Sequence, residues 1–129
     1  MALEAGQQIT ELKVTPDKYL PVRYAGASGD FNPIHTDQEF ATAVGLPSTI
    51  LHGLYSMAQV ARALTDAGGG PESLKSLSVQ FRGMGFPEQE ITVTGTVREV
   101  QDGIATIDTV AEQSGNQIIR NAVGEVAAS

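Results

Sequence analysis

Residues Leu51 to Ala67 place apolar side chains almost all the way round a helix. Leu54, Tyr55, Met57, Ala58, Val60, Ala61 and Leu64 leave little polar face beyond Ser56, Gln59 and Arg62. Such a helix is stable in water only when other elements surround it. Gly68-Gly69-Gly70-Pro71 ends it and marks the chief internal loop. Beyond Pro71 the apolar period drops to two. Leu77, Val79 and Phe81 alternate with Ser78, Gln80 and Arg82. Ile91, Val93 and Val97 follow, broken by Gly95, then Ile104, Ala105, Ile107 and Val110, and finally Ile118, Ile119, Val123 and Val126. Asp102-Gly103 is a strong hairpin turn, and Ser114-Gly115-Asn116 is a second turn. Consecutive strands with short turns form an antiparallel meander, one face of which must be covered. The class is therefore α+β, with an antiparallel sheet wrapped around one long central helix.

Upstream of that helix the signals are local. Gln7 to Val14 alternates loosely and reads as a first strand. Thr15-Pro16 reads as a helix start, with Thr15 as N-cap and Pro16 at the first helical position. Tyr19, Leu20, Tyr24 and Ala27 would then form its apolar face, bent or restarted at Pro21. A second short helix is predicted over Asp37 to Val44, capped by Asp37, with Phe40 and Ala41 inward and Gly45 just past its end.

Between these two short helices lies Tyr24-Ala25-Gly26-Ala27-Ser28-Gly29-Asp30-Phe31-Asn32-Pro33-Ile34-His35. Gly26 and Gly29 make a continuous helix through Asp30 unfavourable, and Asn32-Pro33 favours a turn. Asp30 and His35 therefore fall on one ordered, irregular loop, where a tight turn brings both side chains to one pocket. Acid–base chemistry near neutrality needs such a pair, one group accepting a proton and one donating. Asp and Asn ahead of a proline also serve as caps and turn formers, so the spacing by itself leaves a structural role open. There are only two histidines, and the second, His52, heads the central helix in Leu51-His52-Gly53.

Composition narrows the function classes. The 129 residues, 41% of them hydrophobic, suffice for one domain, taken as 1–129. No cysteine is present, which excludes disulfides and thiolate chemistry. Two histidines are too few for a His-rich metal cluster, and their carboxylate neighbours lack metal-site spacing, so no metal and no cofactor is expected. A net charge of −7, from 8 basic and 15 acidic residues, opposes nucleic-acid binding. No stretch has the length of a membrane span and the N-terminus lacks signal-peptide character, so the expected location is the cytoplasm.

The segment Tyr24-Ala25-Gly26-Ala27-Ser28-Gly29-Asp30-Phe31-Asn32-Pro33-Ile34-His35, followed by Ala41, resembles the hydratase motif of the MaoC-like, (R)-specific enoyl-CoA hydratase family. Leu51-His52-Gly53-Leu54 is similar to that family's opening of the central helix. The resemblance covers nearly the whole chain and implies the hot-dog fold, with an inserted active-site segment before the central helix. It implies hydration of a trans-2-enoyl thioester to an (R)-3-hydroxyacyl thioester, or the reverse dehydration. By the same resemblance Asp30 and His35 hold and activate the water, Asn32 fixes the loop or the Asp carboxylate, and the Gly53 N–H donates to the thioester oxygen. Gly53 also suits that role on physical grounds, because helix-start N–H groups are unpaired and the dipole end is positive. His52 is read as structural. Some relatives carry a serine two turns into the helix, where Ala61 falls here.

Two other classes compete. Hot-dog thioesterases usually place a carboxylate on the central helix, and Leu51 to Leu64 has none. A non-catalytic acyl-binding subunit would lack the Asp and His that this chain has. The expected ligand is an acyl thioester of coenzyme A or acyl carrier protein. One hot-dog unit leaves a sheet edge open, so a homodimer is expected, and a heterodimer with a relative fits as well.

Overall fold

The computed structural model describes residues 2–129. Its elements are β1 (Leu12–Val14), α1 (Leu20–Ser28), α2 (Pro33–Thr36), α3 (Gln38–Ala43), α4 (Gly53–Gly68), a 3-10 turn (Pro71–Ser73), β2 (Leu74–Phe81), β3 (Ile91–Gln101), β4 (Ile104–Gln113) and β5 (Asn116–Ala127). The strands form one antiparallel sheet in the order β1-β3-β4-β5-β2. Helix α4 packs against β2, β3, β4 and β5, which is the helix-in-sheet arrangement of the hot-dog fold. The core lies between them. Val60, Ala63 and Leu64 meet Ile91, Val93, Val97, Ala105, Ile107, Ala111, Ile119 and Val126.

The β3-β4-β5 meander is the one read from the alternation. Asp102 and Gly103 have φ of 54° and 77°, and Ser114 and Gly115 have 49° and 80°. Paired positive φ values match the right-handed twist of two-residue hairpins. The strand after α4 does not join this meander in sequence order. β2 crosses over to pair with β5, with Leu77 opposite Gly124 and Phe81 opposite Ile119.

Several details depart from the sequence reading. Gly95 does not break β3, which is continuous. A side chain there would stand 2.8 Å from Thr109 Cγ2 and 2.9 Å from Ile9 Cδ1, so glycine leaves room for the N-terminal segment to cover the sheet. That segment reaches β3 before β1 begins, through Ile9 N–H to Gly95 O at 3.0 Å and Val97 N–H to Gln7 O at 2.8 Å. In β5 the buried positions after Ile119 are Ala122, Gly124 and Val126, and Val123 is only half-buried. Asn121, at φ 52°, sits beside breaks in both flanking ladders. One extra residue there changes which face the following side chains meet.

Helix α1 starts at Leu20, not at Pro16. A helix begun at Pro16 would carry Pro21 in its interior, where the ring clashes with the preceding turn. Beginning at Leu20 puts Pro21 in the first turn, where the missing N–H is harmless. Asp17 Oδ1 accepts the Tyr19 N–H at 2.8 Å. Its hydrogen bond with Arg23 holds the Asp17 carboxyl below the usual range. The inward face of α1 is Pro21 and Ala25 with half-buried Leu20 and Tyr24, while Tyr19 and Ala27 are exposed.

Helix α4 is not surrounded on all sides. Its buried positions are Tyr55, Ser56, Gln59, Val60, Ala63 and Leu64, so two of the three expected polar-face residues point inward. Leu54 is 61% exposed, and Ala58 and Arg62 follow it on the open side. Gly124 lies directly under Leu64, where an added Cβ would come within 2.4 Å of Leu64 Cδ1. Gly124→Ala is expected to destabilise the fold by about 1–3 kcal/mol through overpacking. Leu64→Ala is expected to cost about 2–5 kcal/mol through the cavity it leaves. Their combination should cost less than the sum, because each change relieves the other, and thermal denaturation of the four proteins measures that coupling.

Candidate active site

The approach to the site is built from serial turns. Helix α1 ends at Gly29, whose φ of 81° is the left-handed cap that glycine adopts freely. Three alternate side chains then accept a backbone N–H two residues further on. Ser28 Oγ accepts from Asp30 at 3.2 Å, Asp30 Oδ1 from Asn32 at 3.2 Å, and Asn32 Oδ1 from Ile34 at 3.1 Å. Short polar side chains at every second position are what this geometry needs. Asn32 is thereby the N-cap of α2, with Pro33 at its first position. The expected loop thus closes with one turn of helix, and that turn carries His35. Asp37 caps α3 as expected, accepting the Phe40 N–H at 3.1 Å, but Phe40 itself is exposed while Ala41 is fully buried.

The structure brings Asp30 and His35 together. His35 Nε2 stands 3.8 Å from Asp30 Oδ2, with the imidazole side chain nearly buried and the carboxylate about half-exposed. His35 Nδ1 lies 2.8 Å from Ile50 O. A carbonyl only accepts, so Nδ1 carries a proton, and in the tautomer this selects Nε2 faces the carboxylate as an acceptor. Two acceptors 3.8 Å apart do not bond to each other. Both can receive hydrogen bonds from one small donor placed between them, such as a water.

Residues 50–53 bring the rest of the site. Ile50 N–H donates to Ile34 O at 3.1 Å and Leu51 N–H to Gly85 O at 2.8 Å, which ties this stretch to both α2 and the loop after β2. Gly53 is the first residue of α4, where its N–H has no acceptor within the helix. The Phe81 ring lies beside it, and a Cβ on Gly53 would be 3.0 Å from Phe81 Cδ1.

His52, read from the sequence as structural, is part of this assembly. Its ring stacks on that of His35 with centroids 3.9 Å apart and planes at 22°. Its Nε2 lies 2.9 Å from Asp30 O. Tyr24 covers the His52 ring at 4.7 Å and meets Tyr55 edge-on at 6.0 Å. Burial holds the Tyr55 phenol above its usual pKa. His52 is 2% exposed, and its Nδ1 is buried without a hydrogen-bond partner. An unmade buried hydrogen bond costs about 1–3 kcal/mol, and such exceptions cluster at working positions. The one sequence signal for His52 was its place in His-Gly at the head of a buried helix.

Asp30, His35 and His52 bring ligand-type atoms within 4.8 Å of one another. They are ill-arranged for an ion. The two rings are stacked and near-parallel, so their in-plane lone pairs point side by side rather than at one ion. A cleft of about 140 Å³ opens beside His35, lined among others by Tyr19, Val22 and Thr49.

A helix wrapped by an antiparallel sheet defines a hot-dog protein, and here an Asp–His pair stands over the helix start. The chain belongs to the MaoC like domain family, whose model matches residues 3–121. Among curated relatives, it is 37% identical over 67 residues to enoyl-CoA hydratase ChsH3 of Mycobacterium tuberculosis, covering 50% of this chain and 23% of that protein. Among solved structures, one from the ChsH1-ChsH2 complex of Mycobacterium tuberculosis superposes with a TM-score of 0.86 at 27% identity, covering 100% of both chains. The (R)-hydratase from A. caviae involved in PHA biosynthesis gives 0.81 at 26% identity, covering 96% of this chain and 94% of that one. The chain spans only 4% and 5% of the fatty acid synthase beta subunits it also matches. No helix among the described residues is long and apolar enough to cross a membrane.

The cap on α2 is open to test. Asn32→Ala removes the acceptor for the Ile34 N–H and is expected to lower stability by about 0.5–2 kcal/mol. Asn32→Asp and Asn32→Ser retain an acceptor and should fall short of that loss. Urea denaturation midpoints rank the three.

Proposed function

We propose that this protein hydrates trans-2-enoyl thioesters to (R)-3-hydroxyacyl thioesters, or runs the reverse dehydration, with Asp30 and His35 acting on one water. The observation that carries this reading is the pair of acceptors 3.8 Å apart, His35 Nε2 and Asp30 Oδ2. A water held by both has its two protons engaged and its lone pairs directed at the substrate. As oxygen attacks C3, the pair removes one proton and returns a proton to C2, so that water is added across the double bond. Negative charge meanwhile gathers on the thioester oxygen. The Gly53 N–H, at the positive end of α4, is the donor that suits it, and such donors are worth ~10²–10³ in rate. Asn32 acts on geometry, holding the turn that carries both groups.

Coenzyme A is the favoured carrier, because ChsH3 is named an enoyl-CoA hydratase. Hydrolysis fits less well. The only carboxylate on α4 is Asp66, exposed in its last turn and far along the helix from Gly53.

A homodimer is part of this reading. β2 is a sheet edge eight residues long. Phe81, Met84 and Leu54 are 52%, 49% and 61% exposed, on and near its end and at the start of α4. An open edge beside apolar surface calls for a partner. The full-length match to a chain of the ChsH1-ChsH2 complex favours, as a second reading, a related chain in the partner's place.

The assay is loss of conjugated enoyl-thioester absorbance on trans-2-enoyl-CoA, followed by chiral analysis of the product. Free thiol released without any 3-hydroxyacyl product would identify a thioesterase instead. Asp30→Asn and His35→Ala are each expected to lower kcat by ~10² or more. The double variant should be little worse than the poorer single one, because groups sharing one water act as a unit. Multiplicative losses would show two separate roles. Light scattering at micromolar concentration is expected to report a dimer, and a monomer that turns over substrate would rule out the dimeric reading.

A further inference from the structure

We propose that His52 is a positioning residue that holds the Asp30–His35 pair and the Gly53 N–H in one frame. The inference rests on the hydratase reading above. Its physical basis is the way one buried side chain touches both halves of the site.

The two halves come from separate stretches of chain. Asp30 and His35 lie on the turns between α1 and α3, and the Gly53 N–H belongs to α4. Neither Asp30 nor His35 shares a hydrogen bond with α4 other than through the residue before it. His52 makes the link three ways. Its Nε2–H donates to Asp30 O, 22 residues away in sequence, at 2.9 Å. Its ring stacks on His35 with centroids 3.9 Å apart, and Tyr24 packs on it at 4.7 Å. Its own carbonyl and the Gly53 nitrogen form one peptide unit, so the donor is fixed to the same residue. His52 O also accepts the Tyr55 N–H at 3.0 Å, which makes that peptide part of the first turn of α4.

The tautomer follows from the partner. Asp30 O is a carbonyl and only accepts, so Nε2 must carry the proton and Nδ1 is left as a bare acceptor. That Nδ1 is buried and unpartnered. His52 therefore serves as a fixed donor to Asp30 O and as a flat wall against His35. A residue kept only for packing would not need a ring nitrogen aimed at the backbone of the residue that binds the water. Reacting groups must be held to within a fraction of an ångström to be productive, and supporting residues of this kind supply that constraint.

Two substitutions separate the components. His52→Phe keeps the stacked ring and loses the donor. His52→Gln loses the ring and keeps an N–H donor at about the reach of Nε2. With folding verified by circular dichroism, His52→Phe is expected to lower kcat on enoyl-CoA at least tenfold with KM changed less than threefold. His52→Gln is expected to return kcat to within threefold of the parent. A readout independent of activity accompanies this. In the substrate-free protein, the backbone amide resonances of residues 30–32 should shift and broaden in His52→Phe and stay near their parent positions in His52→Gln. A folded His52→Phe protein with parental kcat and unmoved amides would overturn the proposal. So would a folded His52→Gln protein as impaired as His52→Phe; if His52→Phe does not fold, a tenfold kcat loss in folded His52→Gln overturns it alone. Loss of the hydratase reading looks different: the parent would be inactive on every enoyl thioester, while the amide shifts would still report the His52–Asp30 bond.

Discussion

The burial of α4 in the curve of the sheet is the contact on which the rest depends. Leu64 sits on Gly124 with no room for another carbon, and Val60 and Leu64 are fully buried among side chains from β3, β4 and β5. Packing at that density allows the helix neither to slide nor to rotate. Its N-terminus is therefore a fixed point, and residues 52 and 53 are fixed with it. The short helices ahead of α4 have little core of their own. Their order comes from caps and serial turns, and their position comes from contacts with residues 50–52.

The site thus follows a division of labour between rigid and adjustable parts. The sheet and α4 supply rigidity through apolar burial. The segment from Ser28 to His35 supplies direction through hydrogen bonds that repeat every second residue. Such local bonds pin the backbone without needing much buried area, which is how a half-exposed carboxylate can still be well aimed. Asp30 keeps access to solvent, while His35 is enclosed and its Nδ1–H is held by Ile50 O. Among the described residues, the buried side-chain polar atoms without partners are His52 Nδ1, at the N-cap of α4, and Gln59 Oε1, on its inward face. A core selected for stability alone would have apolar groups there. Their retention is the pattern expected where function and stability compete.

The open side of α4 and the free edge of β2 belong together in the same account. The sequence of α4 is apolar enough for enclosure on all sides, and one protomer encloses only part of it. Leu54, Phe81 and Met84 remain exposed near the start of the helix. In the hydratase reading proposed above, this apolar surface beside Asp30 and His35 is the region that an acyl chain and a partner subunit would both cover.

Much of this protein was legible in the residues themselves. The apolar helix, the period-two strands and the glycine-bearing turns at Asp102-Gly103 and Ser114-Gly115 are local signals. Each rests on backbone conformations that single residues prefer, so each appears in the folded chain where the sequence puts it. The Asp30–His35 segment was legible for the same reason, since serial side-chain turns are local chemistry. What required the tertiary structure was everything set by distant contact. The crossover of β2 to β5, the room that Gly95 makes for Ile9, and the phase change at Asn121 depend on which strands become neighbours. His52 shows the distinction most directly. Its neighbours in sequence mark it as a helix-start residue, but its contacts with Asp30, His35 and Tyr24 exist only because α4 and the preceding turns are packed together. Local preference determined the pieces, including the serial turns that carry Asp30 and His35, and long-range packing alone decided how those turns and the start of α4 were joined.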